Sequence, residues 1–373
     1  MMNNKLRIYS ILVVLCTTVS LPAQGLKDAL GSSFQVGVAL NTSQIGRNAD
    51  TVVVRAIENH FNSIVAENCM KPDALQPEEG HFKWRKADRF VQFGLDRRMT
   101  VIGHVLVWHA QTPDWFFKDS LGRTASREQL IGRMRTHIHQ VVGHFKGRVK
   151  GWDVVNEAFE DDGTYRRSPW YQIIGPEYIE LAYRFAHEAD PEAELYYNDF
   201  SMTVPAKRQK VCEVIGGLKK KGLRIDGIGM QSHNGLTWPS RENYEASIDA
   251  YAALGCKVMI TELDMNVLPN PESFSGAEVS QSFAYSEAMD PYKNGLPADV
   301  AQRIDQRWLE FFGIYKKHSH QISRVCIWGF SDAQSWMNDW PIRGRTAYPL
   351  LFDRQNRAKP VVRDIVNLFK NTQ

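Results

Sequence analysis

The sequence predicts an eight-stranded parallel β/α barrel, written (β/α)8, that forms a single domain. Eight short apolar runs recur along the 373 residues, and amphipathic helical segments separate most of them. Nearly continuous apolar runs are typical of parallel strands that are buried on both faces. Polar side chains cluster where these runs end, and the carboxyl ends of the strands carry the active site in barrels of this kind.

The predicted strands begin near residues 34, 63, 100, 149, 194, 227, 257 and 324. Helical patterns follow the first, third, fourth, fifth and seventh strands, and another closes the chain. Ser126 and Gln129 form a capping box where the third-strand helix begins. Pro205 begins the fifth-strand helix and Gly222 ends it. An open doubly wound sheet is the alternative, but no GxGxxG or GxxxxGK[ST] motif occupies its phosphate-binding turn.

Residues 1–23 have the pattern of a secretory signal peptide. Lys5 and Arg7 precede a short apolar run, and small residues allow cleavage after Ala23 or Gly25. We therefore expect residues 24–373 to be the mature catalytic domain. We expect that domain to be exported to the periplasm or the extracellular space, with no membrane span.

The mature chain is nearly neutral. The formal net charge of +3 for the whole chain falls to +1 when the two basic leader residues are removed (3 − 2). This balance gives no electrostatic reason to expect nucleic acid or an anionic membrane as a partner. Four cysteines lie outside the leader and show no CxxC spacing, so we expect no disulfide bond among Cys69, Cys212, Cys256 and Cys326.

Residues 268–297 form an unusually long connection between the seventh strand and its helix. Loops of this length are commonly functional or mobile. A loop that follows a barrel strand lies on the catalytic face. The sequence leaves two interpretations open, a mobile spacer or a wall of the substrate site.

Polar and aromatic residues end nearly every predicted strand. They are Glu67, Asn68, Lys71, His104, Trp108, His109, Gln111, Asn156, Glu157, Asn198, Asp199, Gln231, His233, Glu262, Asp264, Trp328 and Trp336. A single residue of this kind is often a satisfied polar group of the core. A set that spans most of the strands predicts an active site at the barrel mouth.

The residue types favour glycoside hydrolysis. No HxH or HExxH motif anchors a metal site among these strand-end residues, and the chain contains no GxSxG nucleophile motif and no glycine-rich phosphate loop. Glu157 and Glu262 end the fourth and seventh strands, which lie on opposite sides of the mouth. Paired carboxylates perform glycoside hydrolysis, and the ten tryptophans offer flat surfaces on which sugar rings stack. We expect neither a metal ion nor a cofactor.

Five segments resemble the signature segments of family 10 glycoside hydrolases, the endo-β-1,4-xylanases. They are ENCMK, GHVLVWH, WDVVNEA, ITELD and WGFSDAQSW. They occur in the order of the family, and the resemblance extends from about residue 35 to the C-terminus. It implies a (β/α)8 barrel that hydrolyses xylan and xylo-oligosaccharides with retention of configuration through a covalent glycosyl-enzyme.

The resemblance also implies residue roles. Glu157 matches the acid/base, Glu262 the nucleophile, Asn156 the partner of the sugar 2-hydroxyl, and His233 with Asp264 the pair that orients the nucleophile. The residues that match the glycone-side wall are Glu67, Asn68, Lys71, His104, Trp108 and Gln111. Gln231 belongs to the same site, and Trp328 and Trp336 cover the bound sugars. Phe200 departs from the tyrosine that is common in the family, so a hydroxyl contact there is in doubt.

Elementary chemistry agrees with the two glutamate roles. The acid must be protonated while the nucleophile is ionised, and repulsion between neighbouring carboxyls favours one proton on the pair. Glu262 and Asp264 are two residues apart on a strand, so their side chains point the same way. Asp264 can then hold His233, and His233 can hydrogen-bond Glu262.

Two other functions stay open at this stage. Another retaining β-glycanase, such as a cellulase or mixed-linkage glucanase, would use the same barrel. A narrow wall formed by Lys71 and Trp328 would exclude a C6 hydroxymethyl group and would distinguish a xylanase from these enzymes. A non-catalytic glycan-binding protein is the third hypothesis, which the presence of both glutamates disfavours. We expect a monomer.

Overall fold

The computed structural model describes residues 24–274 and 279–370. The predicted signal peptide, residues 1–23, lies outside the described residues. The strands in chain order are β1 (Gln35–Leu40), β2 (Ser63–Ala66), β3 (Thr100–Val107), β4 (Gly151–Asn156), β5 (Glu194–Asp199), β6 (Gly227–Met230), β7 (His233–Gly235), β8 (Lys257–Asn266) and β9 (Ile322–Ile327). Each predicted strand begins within two residues of an observed one.

Helices separate these strands. They are α1 (Leu26–Leu30), α2 (Thr51–His60), α3 (Pro72–Leu75), α4 (Trp84–Asp96), α5 (Arg127–His144), α6 (Pro169–Ile174), α7 (Tyr178–Ala189), α8 (Pro205–Lys220), α9 (Arg241–Ala252), α10 (Ala298–Lys317) and α11 (Pro360–Lys370). Short 3-10 turns lie at Asp114–Phe116, Glu287–Met289, Asp332–Gln334 and Trp336–Asn338.

Eight parallel strands close into a barrel, which confirms the predicted fold class. The hydrogen-bonded order is β1 to β6, then β8, then β9, and β9 pairs with β1 through Val36 and Val325. The short strand β7 lies beyond β6 and pairs in parallel with the end of β8, where His233 is the partner of Asp264. This extra pairing carries the β8 strand further into the barrel mouth than its neighbours.

Two apolar layers hold the barrel together. The larger one fills the space between strands and helices, and a smaller one inside the barrel includes Val65, Ile102, Met259 and Cys326. Gly103 on β3 allows close packing in the larger layer, because a Cβ atom at this position would lie 2.1 Å from the indole of Trp152. Such contacts fix the spacing of neighbouring strands and therefore the position of the side chains that end them.

Local signals explain most of the helix boundaries. Ser126 accepts a hydrogen bond from the backbone N–H of Gln129 at 3.2 Å, as the capping box predicts. Helix α8 begins at Pro205, and Gly222 follows its end with a φ of 85°. Helices α1, α3, α4, α6 and α9 were not predicted. Ser240 caps α9 by accepting from the N–H of Asn243, and this serine is the signal that marks its start.

The first and last described helices meet at the amino end of the barrel. Helix α1 precedes β1 and packs against α11. The rings of Phe34 and Phe369 lie edge to face with centroids 5.7 Å apart. Among the described helices, none is both long and apolar enough to cross a membrane. The four cysteines outside the leader are free thiols.

Candidate active site

A cleft of about 430 Å³ opens at the carboxyl ends of the strands. Thirteen of the fourteen predicted site residues line it: Glu67, Asn68, Lys71, His104, Trp108, Gln111, Asn156, Glu157, Gln231, His233, Glu262, Trp328 and Trp336. The fourteenth, Asp264, is fully buried behind the cleft surface. The barrel thus gathers residues that are up to 269 positions apart in the sequence (336 − 67).

Glu157 follows β4 and is 7% exposed. The indole N–H of Trp108 donates to its Oε2 at 2.8 Å. Its Oε1 accepts from the side-chain amides of Gln231 at 2.9 Å and Asn156 at 3.1 Å. The carboxyl group is therefore held in one orientation at the base of the cleft.

Glu262 on β8 is 5% exposed, and its two oxygens have different partners. Asn198 donates to Oε1 at 2.8 Å, and His233 Nε2 lies 3.3 Å from Oε2. His233 Nδ1 in turn lies 2.9 Å from Oδ2 of Asp264, which also accepts from the indole N–H of Trp336 at 2.9 Å. The structure thus contains the contacts from Asp264 to His233 and from His233 to Glu262 that the two-residue spacing on β8 predicted.

The surroundings keep Glu262 ionised. Burial opposes its ionisation, but the hydrogen bond from His233, the electrostatic effect of His104 and His233, and the bond from Asn198 together lower the pKa below its usual 4.5. The contact between His233 and Glu262 also changes the pKa of the imidazole. Burial disfavours its charge, yet the carboxylates of Asp264 and Glu262 raise its pKa from 6.5 to about 10.

Two amide side chains connect the two carboxyl groups. Asn198 Nδ2 donates to Glu262 and also to Oδ1 of Asn156 at 3.0 Å. Asn156 donates to Glu157. Thr261 fixes the Asn198 amide by donating to its oxygen at 2.6 Å. A displacement of one carboxyl would therefore disturb the other.

Left-handed backbone is concentrated around the cleft. Gln111, Glu157, Ser201 and Ser232 have φ values of 44°, 57°, 51° and 65°. Three of them line the cleft, and Ser232 lies between two residues that do. This conformation costs a non-glycine residue about 1–2 kcal/mol. Such costs persist where the surrounding structure imposes the conformation, commonly at functional sites.

A buried lysine lies on the β2 side of the cleft. Lys71 donates to Asn68 at 3.0 Å and to Gln111 at 2.7 Å, and its ammonium lies 5.0 Å from the centroid of the Trp108 ring. Burial lowers the pKa of Lys71, although the carboxylates of Glu262 and Glu67 act against this effect. Burial likewise raises the pKa of Glu67, against the charge of Lys71. These donors and acceptors form a polar wall that suits sugar hydroxyls.

Several residues of the site were not predicted from the sequence. Asn198 was recognised as a polar strand end but was given no role. Asp153 on β4 contacts His104 Nδ1 at 2.9 Å and fixes that ring. Its signal was a buried acidic residue within an apolar strand. Phe200 lines the cleft where a tyrosine was considered, and the Lys207 ammonium lies 3.9 Å from its ring centroid.

The long loop also reaches the cleft. Asn270, Phe274 and Val279 line it, together with Trp340 from the loop after β9. Phe274 and Trp340 lie edge to face with centroids 5.1 Å apart, and Trp340 lies 5.2 Å from Trp336. We call Phe274, Trp340 and Trp336 the aromatic row. Of the two interpretations of the loop, these contacts favour the wall.

A metal site does not emerge from the geometry. Within residues 24–274 and 279–370, no group of three or more His, Cys, Asp or Glu side chains is arranged to hold a metal ion. The clustered acidic and imidazole groups instead bond to one another and to amides, as described for Glu262 and His233.

The family model for glycosyl hydrolase family 10 matches residues 25–368. The chain belongs to glycosyl hydrolase family 10. As a family 10 member it is a glycoside hydrolase, and each of its five signature segments contributes at least one residue to the cleft.

Relatives in family 10 match most of the chain. Endo-1,4-beta-xylanase A of Xylanibacter ruminicola is 53% identical over 345 residues, which is 92% of this chain and 93% of that protein. Endo-1,4-beta-xylanase A of Thermotoga maritima is 43% identical over 90% of this chain, which spans 30% of that longer protein. A solved GH10 endoxylanase from a sugarcane soil metagenome superposes with a TM-score of 0.88 at 43% identity, covering 92% of this chain and all of the other.

Proposed function

We propose that this family 10 enzyme is an endo-1,4-β-xylanase that cleaves internal xylosidic bonds of xylan with retention of configuration. One observation carries the proposal: two buried carboxyls, Glu157 and Glu262, occupy one cleft, and only Glu262 is bonded to the His233–Asp264 pair. The names of the relatives support the substrate class. The basic and apolar leader supports export, which N-terminal sequencing of secreted protein after Ala23 or Gly25 would test.

In the first step Glu262 acts as the nucleophile. Its ionised carboxylate attacks the anomeric carbon, and the bond from that carbon to the glycosidic oxygen breaks. Glu157 gives its proton to the departing oxygen. The lowered pKa of Glu262 supplies the ionised form that the attack requires.

In the second step a water molecule replaces the enzyme on the sugar. Glu157, now ionised, takes a proton from the water as the water oxygen attacks the anomeric carbon. The bond between that carbon and Glu262 breaks, and the carboxylate is restored. Two inversions at one carbon leave the product with the configuration of the substrate.

Other side chains of the cleft fit this reaction. Asn156 donates to Glu157 and accepts from Asn198, which places its amide between the two carboxyls, where a sugar 2-hydroxyl would lie. Lys71 and Trp328 both line the cleft. In the proposed enzyme they would form the wall that excludes the C6 hydroxymethyl group of a hexose, and this exclusion would make xylan a better substrate than β-glucans.

The test compares two polymers and then determines the product anomer. We expect reducing sugar to be released from xylan and much less from carboxymethylcellulose. Proton NMR at early times should detect the β-anomer before mutarotation. Greater activity on carboxymethylcellulose would indicate a cellulase, and no hydrolysis of any β-glycan with retained binding would indicate a glycan-binding protein. An α-anomer as first product would exclude double displacement.

A further inference from the structure

The backbone around Glu157 is held from both sides. Its own N–H donates to the carbonyl of Asn198 at 2.9 Å, and its carbonyl accepts from Nε of Arg166 at 2.8 Å. The N–H of the next residue, Ala158, donates to the hydroxyl of Tyr197 at 3.1 Å. Three consecutive backbone groups are therefore tied at the point where φ is left-handed.

The Tyr197 hydroxyl is itself fixed. It donates to Oδ2 of Asp199 at 2.5 Å, and the other oxygen of Asp199 lies 2.8 Å from the Lys207 ammonium. All three side chains are completely buried. Because the proton of the hydroxyl points to Asp199, its lone pairs face the N–H of Ala158.

Arg166 binds the same turn through several carbonyls. Besides Glu157, its guanidinium donates to the carbonyl of Phe159 at 3.3 Å, and its backbone N–H donates to the carbonyl of Ala158 at 2.8 Å. An ion pair with Glu160 at 3.1 Å holds the outer end of the guanidinium. The segment that follows β4 is thus folded back on the acid/base residue.

We propose that Tyr197 and Arg166 are positioning residues that impose the left-handed backbone at Glu157 and so aim its carboxyl at the leaving oxygen. The carboxyl contacts with Trp108 and Gln231 are made with the backbone of Glu157 in this left-handed conformation. The inference rests on the proposed function, because it assigns Glu157 the role of acid/base. Neither side chain lines the cleft, so both act through Glu157.

Tyr197→Phe removes one hydroxyl and leaves a nearly isosteric ring. Rates on two substrates distinguish a misplaced Glu157 carboxyl from a general loss of stability. Xylotriose needs a proton on its leaving group, whereas 2,4-dinitrophenyl β-xylobioside does not. We expect kcat/KM for xylotriose to fall about tenfold and that for the aryl glycoside to fall less than about twofold, since small misplacements of a reacting group cost up to 10²-fold. Glu157→Ala removes the carboxyl itself and should give the largest difference between the losses in kcat/KM for the two substrates.

Controls separate this effect from general loosening of the fold. Tyr183→Phe removes another buried hydroxyl, one that makes no hydrogen bond within the described residues, and should leave both rates unchanged. Arg166→Lys weakens the second anchor while keeping the charge, and should reproduce the split if Tyr197→Phe folds poorly. Equal losses on both substrates in both variants would overturn the proposal.

A crystal structure of either variant gives a readout that does not depend on activity. We expect φ of residue 157 to leave the left-handed region, or its carboxyl to lose the contact with Trp108. An unchanged backbone and carboxyl would refute the positioning role even in an active enzyme. Failure of the wild-type enzyme to hydrolyse xylan would instead count against the proposed function alone.

Discussion

At Glu262, burial and hydrogen bonding act on the carboxyl in opposite directions. Burial favours the neutral acid, whereas His233 and Asn198 favour the anion and prevail. Glu157 instead accepts from amide and indole donors, and its imidazole neighbour His109 lies further away, with Nδ1 3.8 Å from Oε2. The difference between these two residues of the same type therefore lies in their neighbours, and it supports the different roles proposed for them.

A mechanism-based label tests the nucleophile. A 2-fluoro xylobioside with a good leaving group should attach covalently to the peptide that contains Glu262, as mass spectrometry would detect. Glu262→Gln should abolish labelling and nearly all turnover, because the amide cannot attack, while the near-isosteric change preserves the melting temperature. A label on Glu157 would reverse the proposed roles.

The imidazole of His233 predicts a dependence of stability on pH. Its pKa of about 10 in the folded protein exceeds the usual 6.5. Its interaction with the carboxylates therefore stabilises the fold fully below about pH 6.5 and less as the pH rises toward 10. We expect the difference in unfolding free energy between the wild type and His233→Gln to shrink over that interval in urea titrations.

The matched control for this experiment is His81→Gln, which changes an exposed surface histidine. The difference in unfolding free energy between His81→Gln and the wild type should stay small from pH 6 to pH 10. If the difference in unfolding free energy between the wild type and His233→Gln were constant or grew with pH, it would contradict a protonated imidazolium between the two carboxylates.

The sequence located cleft residues where the chemistry of a side chain is visible in its strand position. Glu157, Glu262 and His233 are polar groups at the ends of apolar strands, and all three line the cleft. Tyr197 and Arg166 carried no such signal. A tyrosine within a strand and an arginine in a turn are common, and their contacts with the backbone near Glu157 depend on the folded arrangement.

Among the elements, the long loop between β8 and α10 differs most from a plain connection. Its backbone is tied to the loop after β9: Phe283 N–H donates to the carbonyl of Pro341 at 3.0 Å, and Thr346 N–H donates to Asp290 at 2.9 Å. The Trp340 indole donates to the carbonyl of Val279 at 3.0 Å. The two loops therefore form one wall, which the sequence could not distinguish from a mobile spacer.

The aromatic row predicts a dependence on substrate length. Trp340→Ala removes a ring face of roughly 60 Å², which corresponds to about 1.5 kcal/mol of binding. We expect KM for xylohexaose to rise roughly tenfold, with little change for xylotriose, because the row extends away from the carboxyl pair. Phe274→Ala should act in the same direction.

Tyr285→Ala is the control for the loop, because this exposed side chain lies on the same segment and outside the cleft. It should leave both KM values unchanged. If Trp340→Ala changed KM equally for xylohexaose and xylotriose, the aromatic row would support the fold of the loop and not the binding of distant sugars.

For the whole molecule, the barrel was predictable because its signal is repeated eight times. Each apolar run alone is ambiguous between a strand and a buried helix, but the series with intervening helical patterns matches one architecture. Helices α1, α3, α4, α6 and α9 and the short strand β7 were missed. The β7 pairing with β8 places His233 beside Asp264, a contact between neighbouring strands whose residues are 31 positions apart in the sequence.

The meeting of α1 and α11 beneath the barrel has a practical consequence. Residues 24 and 370 lie near the amino ends of the strands, on the face opposite the cleft. Either position can serve as an attachment point for a solid support or a fused carbohydrate-binding module. A tethered enzyme of this kind would present its open groove outward to a long insoluble polymer, with the anchor beneath the barrel and away from the approaching chain.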